Sequence, residues 1–362
     1  MLRCPAVLPS VTLIVAMRNE AAAIEACLAS LLAQGWPEDR LEILVMDGGS
    51  TDGSRETAER LLAGRPGARV VDNPGVLQAA GWNLGIELAR GDYIGIVSGH
   101  AELAADYVAN VVRVLEETDA TMVGGPVRAE AEGPLGEAVA IATSTPFGVG
   151  GARHHYLTER AEVDTVFMGV ARRDDYARLR FDESMARNQD DELSYRILDE
   201  GGRIVCDPSI RSVYRNRATL AGLWRQQFAY GAWKIRVFQQ HPRQARLRHL
   251  APAAFVAGLF GPAAAAPFAR AGRLGLAAVV TAYAAADLAF SATGSATRLA
   301  APGGVGGTAG GGGVTGAPAS TAGRTGRLAR FARLLIVYPT IHLAYGLGGF
   351  AGLVRFRDGW RR

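Results

Sequence analysis

Four short polar stretches carry side chains that could do chemistry. Arg18-Asn19-Glu20 follows the apolar run VTLIVAM, and Asp47-Gly48-Gly49-Ser50-Thr51-Asp52-Gly53-Ser54 follows LEILVM. Ser98-Gly99-His100 follows YIGIV, and Asn188-Gln189-Asp190-Asp191-Glu192-Leu193 opens a helical pattern. The second stretch combines glycines, which let backbone approach a ligand closely, with carboxylates that can accept from base and ribose donors or hold a metal. The same Asp, Gly and Ser residues serve an ordinary turn and helix cap equally well. The stretch lacks the Lys of a Walker loop, and no G-x-G-x-x-G opens the first helix. A nucleotide is expected, but neither a P-loop nor a dinucleotide fold.

The elements that must position these residues follow from apolar periodicity. Val11 to Met17 and Leu41 to Met46 read as buried strands. Between them Ile24, Leu28, Leu31 and Leu32 fall at helical spacing behind Asn19, a candidate N-cap. This strand-helix-strand unit sets polar residues at the carboxyl edges of both strands, where open parallel α/β sheets bind ligands. Further strands are expected at Ala68 to Val71, Tyr93 to Val97, Thr121 to Val127 and Asp164 to Ala171, with a strand pair in Arg203 to Tyr214. Helices are expected at Arg55 to Ala63, Gln78 to Ala89, Asp106 to Thr118, Leu135 to Thr143 and Leu220 to Gln240. Pro146 to Gly151 reads as a glycine-rich loop, and Arg153 just beyond it is a candidate contact for an anionic leaving group.

In this order the motifs resemble those of inverting family 2 glycosyltransferases, and most nearly their succinoglycan-type, membrane-attached branch. The resemblance runs from about Val11 to Gly352. It implies an α/β, GT-A nucleotide-sugar-binding fold with a mixed, mainly parallel sheet and flanking helices. It also implies transfer of a hexose, with inversion, from a nucleotide diphosphate sugar to a hydroxyl of a lipid-linked saccharide in bacterial exopolysaccharide biosynthesis. A UDP-sugar is the expected donor. Arg18, Glu20, Asp47, Gly49, Ser50, Asp52 and Ser98 would line the nucleotide-sugar site, with Arg153 near the diphosphate. In such enzymes the stretch here written Ala80-Gly81-Trp82-Asn83-Leu84-Gly85 lies near the nucleotide, whereas its own pattern also suits a packed helix.

The family usually carries Asp-x-Asp, and this branch Asp-x-His, where the chain has Ser98-Gly99-His100. The last position would ligate a divalent cation, and His100 can do so with a neutral imidazole nitrogen. A mixed imidazole and diphosphate shell suits Mn²⁺ at least as well as Mg²⁺. In the resembled family the general base stands three residues before the Leu of Leu193-x-x-Arg196, which selects Asp190 over Asp191 and Glu192. A helix start favours its charged form. Two other readings stand beside this one. The acceptor could be polyprenyl phosphate itself, an anion that needs no base, or the chain could be a non-catalytic sugar-nucleotide-binding scaffold of a polysaccharide export complex, as Ser98 suggests. Gln226 to Gly231 departs from the Gln-x-x-Arg-Trp of bulkier synthases, so processive synthesis is not implied.

Composition fits a membrane-attached enzyme. The chain has 362 residues and a net charge of +4. Its three cysteines are scattered, which suits a reduced cytosolic setting better than a disulfide framework. MLRCPAVLPS is too short and proline-broken for a signal peptide. The expected organisation is a catalytic domain over residues 1–219, a basic amphipathic interfacial helix over 220–249, and a membrane region over 250–362. From Gly201 to His249 ten Lys or Arg face one acid, Asp207, as on a helix lying against an anionic membrane. No base-reading module accompanies them, so no nucleic acid partner is expected. Three apolar segments, 250–269, 274–293 and 334–354, approach bilayer-spanning length, with a Gly-rich linker at 300–323. Asp287 within the second should face protein or water. The expected location is the bacterial inner membrane, multi-pass, with the catalytic domain cytoplasmic. The expected partners are the donor, the lipid-linked acceptor, the membrane and other polysaccharide-assembly proteins.

Overall fold

The apolar runs become strands because both of their faces find cover. In the computed structural model, which describes residues 8–130, 133–215, 219–297 and 324–360, the strands are β1 (Val11–Met17), β2 (Leu41–Asp47), β3 (Ala68–Asp72), β4 (Tyr93–Ser98), β5 (Ala101–Leu103), β6 (Met122–Gly125), β7 (Arg128–Glu130), β8 (Ala161–Glu162), β9 (Phe167–Arg172), β10 (Ile204–Cys206) and β11 (Ser212–Arg215). Eight of them form one sheet in the order β3-β2-β1-β4-β9-β6-β10-β8. β1 runs parallel to β2 and β4, with Val11 opposite Leu41 and Tyr93. β9 runs antiparallel to β4 and β6, which makes the sheet mixed.

Helices α1 (Ile24–Leu32), α2 (Ser54–Leu62), α3 (Gln78–Leu88), α4 (Tyr107–Thr118), α5 (Gly133–Thr143), α6 (Pro146–Val149), α7 (Arg173–Leu179) and α8 (Gln189–Asp199) follow in chain order. Val11, Leu13, Val15 and Met17 share one core with Ile24 and Leu28 of α1 and Val108 and Val111 of α4. Ile14 and Ala16 share another with Trp82 and Ile86 of α3, Tyr176 of α7 and Leu193 of α8. A strand buried on both faces reads as an unbroken apolar run.

Several local expectations change. Asn19 does not cap α1, which begins at Ile24 with Ala23 in the cap position. Asn19 instead adopts a left-handed conformation, φ 56°. The run Thr121 to Val127 yields β6 alone and stops at Gly125. β10 and β11 are not a pair: β10 joins the main sheet between β6 and β8, while β11 pairs antiparallel with β5. The glycine-rich loop contains a helical turn, α6, whose Thr145 cap accepts from the Gly148 amide.

The chain divides into two compact units. Residues 8–128 and 156–214 make the first, and the other described residues make the second, which therefore includes α5 and α6. The second unit also holds α9 (Leu220–Gln240), α10 (Leu247–Ala265), α11 (Arg270–Ala296) and α12 (Arg324–Arg355). α9 and α12 approach backbone to backbone across glycines: a Cβ on Gly231 would lie 2.0 Å from the Tyr345 carbonyl oxygen, and one on Gly348 2.1 Å from that of Phe228. Small residues at such crossings let helices gain dispersion contact where lipid removes the hydrophobic drive.

Two helices among the described residues, Arg270–Ala296 and Thr325–Arg355, are long and apolar enough to cross a membrane. Three such segments were expected. The first of them forms α10, which carries Pro252 and Pro262 and does not qualify. Only 11% of the most apolar stretch of α11 is buried, against 50% for α12. Asp287, as expected, is turned inward, 5% exposed, and accepts from Ser291 at 3.0 Å. The expected linker at 300–323 lies outside the described residues. Gly231→Leu is expected to force α9 and α12 apart at a cost of at least about 1–3 kcal/mol. It should lower the thermal midpoint of the detergent-purified protein, whereas Gly261→Leu, with nothing within 4 Å of the added Cβ, should leave it unchanged.

Candidate active site

Two loops at the carboxyl edge are stitched together before any ligand is considered. The Asn19 amide donates to Ser50 Oγ at 3.0 Å, the Glu20 amide to Ser54 Oγ at 2.8 Å and the Ala21 amide to Asp52 Oδ2 at 3.0 Å. In return the Thr51 amide donates to Asn19 Oδ1 at 2.8 Å. Asp52 Oδ1 accepts from the Ser54 amide at 3.1 Å and from its hydroxyl. The Ser54 hydroxyl, then the Ala21 amide, hold the Asp52 carboxyl below its usual range. Ser50 and Asp52, expected at the nucleotide, are thus engaged in holding the loops that form the edge.

Asp47 ends β2 with its side chain 1% exposed. Its Oδ1 accepts from the Ser50 amide at 3.1 Å and the Ser50 hydroxyl at 2.6 Å, and Arg55 Nη1 lies 3.3 Å from Oδ2. Arg55 also pairs with Asp72 and, at 2.8 Å, with Glu59. Gly49 takes a positive φ of 79° and is exposed. Arg18 is exposed at the same edge, beyond the end of β1.

β4 delivers Ser98 and His100 beside these loops. His100 Nδ1 lies 3.1 Å from Glu20 Oε1, and Nε2 lies 3.2 Å from Ser98 Oγ. The ring of Tyr214 meets His100 edge-on at 5.3 Å. The His100 and Glu20 side chains are 26% and 28% exposed, so solvent and ligands can reach both. Glu20, expected at the nucleotide, therefore stands against the imidazole. A proton on Nδ1 shared with Glu20 leaves Nε2 as an acceptor or ligand. No group of three or more His, Cys, Asp or Glu among the described residues could hold a metal by itself. One imidazole and one adjacent carboxylate do fit a borderline cation that takes its other ligands from a diphosphate and water.

Asp190 enters from α8. Asn188, with φ 59°, turns the chain into that helix. Gln189 Nε2 donates to Gln78 Oε1 at 3.0 Å. Gln78 starts α3, which follows the carboxyl end of β3, so the start of α8 lies at the same edge as His100. Asp190 is exposed. Glu192 is buried and pairs with Arg196 at 2.7 Å, and Arg196 also donates to the carbonyls of Leu179 and Arg180. That carboxylate belongs to the packing of α8, which removes it from the candidates for a base.

Two further residues emerge only from the structure. Arg55 is the bridge between the strand-end carboxylates Asp47 and Asp72. Asn83, 3% exposed, clasps the segment before α8: its Oδ1 accepts from the Phe181 amide at 2.8 Å, and its Nδ2 donates to the Phe181 carbonyl at 2.9 Å and to Glu183 Oε1 at 2.8 Å. The sequence hints at Asn83 only by its interruption of an apolar helical pattern and by its place in the stretch Ala80 to Gly85, and neither names its partners. Arg153 lies in the second unit, exposed in the turn Arg153–His155.

Known proteins resemble this chain in sequence and in fold. The family model described as Glycosyl transferase family 2 matches residues 12–179. The succinoglycan biosynthesis protein ExoA of Rhizobium meliloti is 31% identical over 257 residues, 67% of this chain and 74% of its own length. A Methanococcus voltae protein, the dolichyl N-acetyl-alpha-D-glucosaminyl phosphate 3-beta-D-2,3-diacetamido-2,3-dideoxy-beta-D-glucuronosyltransferase, is 28% identical over 233 residues, covering 62% of this chain and 72% of that protein. Among solved structures, the mannosyltransferase of Pyrobaculum calidifontis in complex with GDP-Man and Mn²⁺ superimposes with a TM-score of 0.55 at 21% identity, covering 96% of this chain and 88% of its own. That likeness is one of fold, the GT-A-like mixed sheet with flanking helices. With a relative above 30% identity matched over 74% of its length and the strand-end motifs in place, the chain belongs to glycosyltransferase family 2, and it is a glycosyltransferase.

Proposed function

We propose that the chain transfers a hexose, with inversion, from a nucleotide diphosphate sugar, a UDP-sugar by preference, to a hydroxyl of a lipid-linked saccharide in bacterial glycan assembly. The observation that carries this is the meeting at one sheet edge of the Glu20–His100 pair with the exposed Asp190. Arg18, Glu20, Asp47, Gly49 and Ser98 form the donor side of that edge, with Ser50 and Asp52 holding its loops. Asp190 takes the proton of the acceptor hydroxyl as that oxygen forms its bond to the anomeric carbon. The bond from that carbon to the diphosphate oxygen breaks on the opposite face, its electron pair leaving with the nucleoside diphosphate. A positioned carboxylate supplies roughly 100-fold to 10,000-fold in such a step.

His100 and Glu20 would hold a divalent cation, Mn²⁺ or Mg²⁺. When bound, it would offset charge developing on the diphosphate. The Pyrobaculum neighbour's Mn²⁺ supports this choice of cation. The lipid-linked acceptor is supported by the dolichyl-linked sugar phosphate in the Methanococcus relative's name, and the assembly role by the succinoglycan in that of the Rhizobium relative. The two apolar helices support attachment to a membrane, and the reading puts the active site at the cytoplasmic face of the inner membrane, where such an acceptor would be met.

Three outcomes test the reading. Asp190→Asn should lower kcat for transfer about 100-fold to 10,000-fold while leaving UDP affinity intact in calorimetric titration. Full activity in that variant would favour polyprenyl phosphate, whose oxygen is already ionised, as the acceptor. Glu192→Gln should instead lower the thermal midpoint, because it leaves Arg196 in a partly buried pocket without its charged partner. Chelation of divalent cation, or His100→Ala, should weaken UDP binding by at least about 10-fold, the loss that even outer partners of a metal ligand command. UDP binding indifferent to both would remove the cation from His100.

A further inference from the structure

Helix α3 joins the donor edge to the segment that carries the base. Its first residue, Gln78, accepts from Gln189 at 3.0 Å, one position before Asp190. One and a half turns later, buried Asn83 makes three hydrogen bonds of 2.8–2.9 Å to Phe181 and Glu183, at the start of the same segment. Trp82 stacks obliquely on Phe181 at 4.8 Å. The segment from Phe181 to Asp190 is otherwise irregular up to the start of α8 and includes the left-handed Asn188. Both of its ends are therefore fastened to one rigid helix.

The N-terminal end of α3, where Gln78 stands, is also fastened to the nucleotide edge. The Asn73 amide donates to the Asp47 carbonyl at 2.8 Å, and Asn73 Nδ2 donates to the Leu77 carbonyl at 3.1 Å, just before Gln78. A Cβ on Gly48 would lie 2.7 Å from the Val76 carbonyl oxygen, so the two loops are in direct contact. An acceptor hydroxyl and an anomeric carbon react only when held in near-attack geometry, and an error of about 1 Å costs on the order of 100-fold. Asp190 is exposed in the first turn of α8, so where it stands depends on how that helix begins.

We infer that Gln78 and Asn83 are positioning residues for the base: α3 carries the register of the donor edge to Asp190 through the Gln78–Gln189 and Asn83–Phe181–Glu183 contacts. The inference rests on the reading of Asp190 as the base. Neither residue touches the reacting atoms, so their loss is written in kcat and not in donor affinity.

The test uses the full-length, detergent-purified protein in four variants: Gln78→Met, Gln78→Glu, Asn83→Ala and Asp190→Asn. Gln78→Met removes the acceptor for Gln189 from a half-buried site and keeps the side-chain length, so it should fold. It should lower kcat about 10-fold to 100-fold with UDP affinity and donor KM unchanged. Gln78→Glu keeps an oxygen for the Gln189 amide and should restore most of that loss. Asn83→Ala should show the same split between kcat and donor affinity, and if it unfolds, the Gln78 pair decides alone. Wild-type kcat in Gln78→Met, or a parallel loss of UDP affinity, would overturn the positioning role while leaving Asp190 as the base. Full activity in Asp190→Asn would overturn the base, and this inference with it.

Discussion

Everything at the carboxyl edge of the sheet depends on how two loops that leave adjacent parallel strands satisfy their backbone. Asn19, Glu20 and Ala21 leave β1 with three successive amides turned toward the β2 loop, and Ser50, Ser54 and Asp52 accept all three. Amides left without partners here would each cost on the order of 1–3 kcal/mol. Binding them to the neighbouring loop fixes the path of the chain where Glu20 departs. Glu20 then has little choice but to stand against His100, and Gly99 leaves the room: a Cβ there would lie 3.2 Å from Glu20 Cγ. The polar residues of the Asp47–Ser54 stretch thus divide their labour, Ser50, Asp52 and Ser54 building the edge that Glu20, His100 and Gly49 present.

The sheet beneath makes this accuracy possible. β1 is zippered to β2 over its full length and to β4 from Val11 to Ala16, so the ends of three strands cannot move independently. Each face is sealed by helices whose buried residues come from both sides of the strands. One-residue slippage would turn Leu13 and Val15 into the positions of Ile14 and Ala16 and break both cores at once.

Much of this was legible because burial on two faces writes a strong signal. Val11 to Met17 and Leu220 to Gln240 end where the apolar pattern ends. The strand-end motifs were legible because Gly, Asp and Ser cluster only where backbone must turn. Their individual duties were not: a carboxylate that accepts from Ala21 and Ser54 looks, in sequence, like one that accepts from a ribose. Asn19 shows the same limit, since its side chain bonds to Thr51, 32 positions away, instead of to the helix that follows it. The clasp made by Asn83 spans about a hundred positions, and no local pattern encodes a partner that distant. Strand pairing failed for the same reason: β10 and β11 are neighbours in sequence, but their partners, β6 and β5, are not.

The second unit shows how a chain can keep polar groups inside apolar helices. His342 Nε2 lies 2.7 Å from the Phe147 carbonyl oxygen and its Nδ1 2.7 Å from the Tyr283 hydroxyl, so α6, α11 and α12 meet at one imidazole. Arg330 reaches the Ser295 carbonyl at 3.1 Å, near the end of α11, and pairs with Glu137 of α5 at 2.6 Å. A cation near the last carbonyls of a helix is favoured by its dipole, and a carboxylate partner limits the desolvation cost. Val139 and Ile141 of α5 complete the packing against Leu334, Val337 and Tyr338 of α12. The bonds to Phe147 and Glu137 join segments nearly two hundred positions apart, and that is why composition alone, which changes near residue 250, did not reveal that residues 133–155 belong with the C-terminal helices. The unit is defined by where its polar groups find partners, and the segment that supplies those partners comes from the middle of the catalytic sequence.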